Sequence, residues 1–185
     1  PYQGYITNHS EYQRYTAAYR MTGSEMIMSV RTESERNAIK SRMLENGSVY
    51  VAFRSNSLNY YDNGTSYAYY QSDYTYYGAN HAVLLVGWDD HYAKENFDPQ
   101  NQPATDGAWL VKNSWGDGRL DDGYFWISYA DESLGEYATF TFEPWDASGN
   151  IYFYDNAGYS TAYSFDAVAN VFQAEEDETL SRVGF

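Results

Sequence analysis

The 185-residue chain contains no cysteine. It therefore carries no disulfide, no thiolate metal ligand and no thiol nucleophile of its own. Basic residues are scarce, 11 Lys and Arg against 26 Asp and Glu, and the formal net charge is -15. A surface this acidic repels phosphate backbones, which argues against nucleic-acid binding. No apolar run approaches about 18 residues, so no membrane-spanning helix is expected. A basic, then apolar, then small-residue leader is missing at the N-terminus. Because the chain does not begin with Met, it reads as a fragment. Histidine is rare as well, with three in all.

What is abundant is tyrosine, 22 residues, within a hydrophobic fraction of 43%. That fraction is enough for a real core and excludes a disordered chain. Tyrosine suits surfaces that grip peptides or sugars, and it equally replaces Phe and Leu at half-buried positions.

Thr32-Glu33-Ser34-Glu35 has the spacing of a helix capping box, with Gly47 as the stop. Ile39 and Met43, with Leu44 beside them, give the helix an apolar stripe. Residues 26–31, 48–53, 82–88, 108–112, 124–129 and 138–142 read as strands. The Asp62-Asn63-Gly64 run marks a turn, and 89–107 reads as a polar insert. Strands separated by turns, with one strong helix, predict an α+β fold built on a mostly antiparallel sheet. Pro144 and the turn residues after it suggest a boundary, giving a domain over 1–145 and a β-rich tail over 146–185.

His9 lies in a polar stretch and reads as solvated. His91 follows two aspartates, but no second metal ligand stands at a recognisable spacing. The acidic loops also lack the spacing of a calcium loop, so no metal and no cofactor are expected. His81 differs, because it opens the most apolar strand, ANHAVLLVGW. A histidine so placed is a structural hydrogen-bonding residue or a base. Downstream, Asn113 closes the strand of AWLVKNSWG. If strands 82–88 and 108–112 are antiparallel neighbours, His81 and Asn113 fall at one end of the sheet. Asn113 can then accept from the imidazole and fix its tautomer, with Trp115 covering the bond.

NHAVLLVGW, WLVKNSWG and GYFWIS, in that order, resemble the C-terminal half of papain-like cysteine peptidases. Weaker similarity extends upstream through IKSRMLENGSVYVAF, where Ser48 stands in place of the family's proline, and through YYQSDY. The resemblance covers roughly residues 1–143. It implies that His81 is the imidazole of a thiolate–imidazolium pair and Asn113 its orienter. It further implies that Trp115 shields that bond and borders the leaving-group side of the substrate cleft. Ala79 and Asn80 would also line the cleft, with small Ala79 leaving room for a bulky apolar substrate side chain. The family's nucleophilic cysteine and oxyanion-hole glutamine would precede Pro1, the cysteine by about 35–70 residues. An N-terminal portion of the same peptidase is thus an expected partner, beside a peptide or protein substrate. The tail, ANVFQAEEDETLSRVGF, is similar to the opening of the lectin-like domain that follows the peptidase in some bacterial surface proteins. This implies an extracellular or cell-surface location. Two other readings stay open: a non-catalytic peptide- or glycan-binding module on the same scaffold, and a structural surface domain.

Overall fold

The long helix α1 (Glu33–Asn46) begins where its capping residues dictate. The Glu35 N–H donates to Thr32 Oγ1 at 3.3 Å, and the Thr32 N–H donates to Glu35 Oε2 at 2.7 Å. Two of the orphan donors of the first turn are thereby satisfied. The helix ends at Gly47, whose N–H donates to the Met43 carbonyl. Ile39 and Met43 are buried against the sheet, and each contributes about 1.5–3 kcal/mol by leaving water. Leu44, expected in the same stripe, is instead 78% exposed. It follows Met43 by one position, and about 100° of rotation carries it off the buried face.

The computed structural model describes residues 18–27, 30–73 and 78–145, with isolated positions 173, 177 and 179 beyond them. By its contacts the chain divides into two units, Pro1–Trp145 and Asp146–Phe185. The expected β-rich tail and His9 fall outside the described residues, as do residues 74–77.

Eight strands form one sheet: β1 (Tyr19–Ile27), β2 (Val49–Phe53), β3 (Tyr60–Asp62), β4 (Tyr67–Tyr69), β5 (His81–Asp89), β6 (Ala108–Lys112), β7 (Tyr124–Ser128) and β8 (Gly135–Pro144). Their spatial order is β1-β8-β2-β5-β6-β7-β4-β3. All pairings are antiparallel except β4 with β7. The α+β reading with one helix and a mostly antiparallel sheet therefore holds.

Two strand expectations change. The run 26–31 contributes only its first two residues to a strand that starts earlier, at Tyr19. β1 is an edge strand exposed along most of its length, so it needs no alternating apolar pattern and shows none. β3 and β4 form a hairpin inside the tyrosine-rich stretch, around the Asp62–Gly64 turn. The 89–107 insert also does more than link strands. Its Tyr92 and Phe97 are buried in a second small core with Ala68 and Ala108.

The main core lies between α1 and one face of the sheet. Val49, Val51, Val83, Leu85 and Val111 point into it with Ile39 and Met43. On β5 the alternate residues Ala82 and Leu84 point the other way and are exposed. Among the described residues, the run AVLLV, apolar on both faces, is thus covered on only one. The uncovered face continues through Leu84's partner Tyr50 to Phe140, 6.4 Å away ring to ring, and on to Phe142 and its partner Met21.

Candidate active site

His81 is the first residue of β5, and Asn113 is the first residue after β6. β5 and β6 pair antiparallel, with Leu84 opposite Lys112, so the two residues arrive at the same end of the sheet. His81 Nε2 lies 3.0 Å from Asn113 Oδ1. The Ser114 N–H donates to the same oxygen at 2.7 Å, which fixes that atom as the amide's acceptor. Nε2 must then be the protonated ring nitrogen. In the neutral imidazole, Nδ1 is left as the basic one.

Asn113 is itself held firmly. Its N–H donates to the Gly123 carbonyl at 2.8 Å, and the residue is 7% exposed. The loop between them doubles back tightly. A Cβ on Gly123 would lie 2.8 Å from the Gly116 carbonyl oxygen, and the Gly123 φ is +86°. Asn113 Nδ2 is buried and has no hydrogen-bond partner among the described residues. The indole of Trp115 stacks on the His81 ring, with centroids 4.9 Å apart and planes 23° apart. It covers one face of the imidazole while staying 44% exposed itself. The buried Phe53 ring lies 5.6 Å from the imidazole, and Tyr60 lies 6.0 Å from Trp115. Burial pushes the Tyr60 hydroxyl up to about 12, so it stays neutral and pairs with Ser55 Oγ.

Ala79 and Asn80 are both exposed beside His81. The Asn80 amide is fully engaged: Oδ1 accepts from the Ser55 N–H at 2.7 Å, and Nδ2 donates to the Ser55 carbonyl at 3.1 Å. His91 is exposed in the 89–107 loop, far along β5 from His81, and its N–H donates to Asp89 Oδ1. Among the described residues no three His, Cys, Asp or Glu side chains converge as metal ligands would. Phe53, Ser55 and Tyr60 were invisible as site residues in the sequence. Phe53 and Ser55 follow from the register of β2 against His81, and Tyr60 from the packing of β3 against Trp115, not from any motif.

An oriented imidazole can accept a proton from a nucleophile and return it to a leaving group. Residues 1–142 match the family described as papain family cysteine protease. The chain belongs to the papain family of cysteine proteases. Among solved members, it is 30% identical to a structure of the cysteine protease and lectin-like domains of Cwp84, a surface layer associated protein of Clostridium difficile. The TM-score is 0.58, over 70% of this chain and 28% of that one. Similarity to digestive procathepsin L2 proteinase from the larval midgut of Tenebrio molitor is 26%, with a TM-score of 0.52, over 76% of this chain and 40% of that one. Cathepsin F of Drosophila melanogaster is 26% identical over 56% of this chain and 16% of its own length. The chain thus spans well under half of each of these papain-family relatives.

Proposed function

We propose that this chain supplies the base and its orienter to a papain-like cysteine endopeptidase whose nucleophile comes from an upstream portion of the same enzyme. The observation that carries the reading is the His81 Nε2–Asn113 Oδ1 hydrogen bond, which leaves Nδ1 to receive a proton. In the proposed reaction Nδ1 takes the thiol proton and the thiolate attacks the peptide carbonyl. The imidazolium then gives its proton to the departing amine. Water, deprotonated by the same ring, hydrolyses the acyl-enzyme. Asn113 keeps the ring's tautomer and direction throughout, and stacked Trp115 limits water at the Nε2 bond. Ala79, Asn80 and Trp115 border the proposed cleft.

One further observation supports a partner segment. The face of Ala82, Leu84, Tyr50, Phe140 and Phe142 is apolar and at least partly exposed on β5, β2 and β8, on the side of the sheet opposite the His81 ring. Such faces mark contacts with other protein. The tail is proposed as the start of a lectin-like domain, and the whole protein as a surface or secreted one. Both readings draw support from the similarity to Cwp84.

The second reading is a binding module without catalysis, favoured by the absence of cysteine from this chain. The test is labelling of the precursor, produced with its upstream sequence, by a thiol-directed epoxide peptide. Labelling that is lost in His81→Ala supports the peptidase. An unlabelled precursor that still binds peptide or glycan sinks it in favour of the module.

A further inference from the structure

β2 leaves its ladder at Phe53, directly opposite His81. The next three residues belong to no strand, yet side chains satisfy their backbone. The Arg54 N–H donates to Ser133 Oγ at 3.2 Å. The Arg54 carbonyl accepts from the Tyr69 hydroxyl. Ser55 is clamped at both its N–H and its carbonyl by the Asn80 amide. The Asn56 N–H donates to the Tyr69 hydroxyl oxygen at 3.2 Å. The Asn80 N–H in turn donates to the Phe53 carbonyl at 3.1 Å. Residues 54–56 therefore form a shelf on which the residue preceding His81 rests.

Ser133 and Tyr69 are both governed by one buried carboxylate. Asp131 is 0% exposed. Its Oδ1 accepts from the Ser133 N–H at 2.8 Å and from the Ser133 hydroxyl at 2.6 Å. The hydroxyl proton is thus directed at Asp131, and the oxygen's lone pairs are left for the Arg54 N–H. Asp131 Oδ2 accepts from the Gln71 N–H at 2.8 Å. Gln71 Oε1 then shares the Tyr69 hydroxyl with the Arg54 carbonyl, at 3.2 Å. An acceptor-only group is what this position requires. An asparagine there would aim an N–H at either Gln71 or Ser133. Burying a carboxylate is unfavourable, and what this one provides is the direction of its acceptor bonds.

We propose that Asp131 is a positioning residue for the candidate active site, acting on His81 through Ser133, Gln71 and the 54–56 shelf. This rests on the reading of His81 as the base. It adds a support that lies 50 residues further along the chain and touches neither His81 nor Asn113.

The test uses the 185-residue chain with labelled histidine. It reads the ratio of Nε2–H to Nδ1–H tautomers of the neutral His81 ring from long-range nitrogen–proton couplings. Ser133→Ala removes the hydroxyl and leaves Asp131 in place. It is expected to lower the ratio by about threefold or more, within what one hydrogen bond can shift. Ser133→Thr, which keeps the hydroxyl, is expected to restore it. Asp131→Asn should move the ratio further in the same direction, and if that variant does not fold, the Ser133 pair decides. Asn80→Ala, which unclamps the shelf directly, should lower the ratio as well. A wild-type ratio in folded Ser133→Ala overturns the proposal, as does a wild-type ratio in Asn80→Ala. The readout needs neither thiol nor turnover. A failed labelling experiment on the precursor would therefore leave this result standing, and the reverse is also true.

Discussion

The loop that carries Asn113 can be dissected with three glycines. Gly116 has φ +85° and open space around an added Cβ. Gly118 lies outside the left-handed region and also has open space. Gly123 has φ +86° and an added Cβ 2.8 Å from the Gly116 carbonyl oxygen. Alanine at Gly118 changes only the freedom of the unfolded chain, so it should be neutral or stabilise by up to about 1 kcal/mol. Alanine at Gly116 carries the left-handed penalty alone, about 1–2 kcal/mol. Alanine at Gly123 carries that penalty plus a collision with backbone, which cannot rotate aside as a side chain can. Overpacking of this kind adds about 1–3 kcal/mol, so the total is about 2–5 kcal/mol. Urea unfolding measures all three. With a slope of about 1–3 kcal/mol per molar, the midpoints should separate clearly in the order Gly118, Gly116, Gly123. Equal losses at Gly116 and Gly123 would refute the close approach. A loss at Gly118 matching that at Gly116 would refute the conformational argument. Since the Gly123 carbonyl receives the Asn113 N–H, the Gly123 variant should also broaden the His81 ring signals.

Burial pushes the Asp131 carboxyl up from an ordinary 3.8 to about 6, against the hydrogen bonds of Ser133 and Gln71, which pull it down. The native state then holds this proton more tightly than the unfolded state, so stability is greatest below about pH 4 and falls as pH rises to about 6. About two pH units correspond to about 3 kcal/mol. Urea melts of wild type against Asp131→Asn, taken from pH 4 to 7, isolate this contribution from the other carboxylates; a difference that stays flat with pH refutes it. Trp115→Ala should speed exchange of the His81 Nε2–H with water by about tenfold, equivalent to about 1.4 kcal/mol of lost protection. Unchanged exchange in that variant would show that the stacked indole does not shield the bond.

How much was legible in the sequence depended on whether a residue's neighbours in the chain are also its neighbours in space. The capping box of α1 is local, and it stands where Thr32 and Glu35 put it. β5 and β6 are apolar, bounded by turns and close in sequence, so the meeting of His81 with Asn113 followed from simple antiparallel pairing. β1 was obscured because an exposed edge strand has no inward face to encode. The β3–β4 hairpin was obscured because tyrosine fits half-buried and exposed positions alike. Tyr92 and Phe97 were hidden among polar residues whose only shared feature is that they surround a small core. Asp131 gave no signal, since one aspartate among 26 acidic residues looks like any other until Gln71 and Ser133 are seen around it.

The strand order has a consequence for how the protein is made. β8 lies between β1 and β2, although it is synthesised about a hundred residues after the first of them. β5, β6 and β7 are consecutive and adjacent, so they can pair as they leave the ribosome. Both edges of the gap that β8 fills must wait, with their N–H and C=O groups open, until Pro144 has emerged. During that interval β1 and β2 form the part of the nascent chain most open to wrong partners, while the end of the sheet bearing His81 and Asn113 can already assemble.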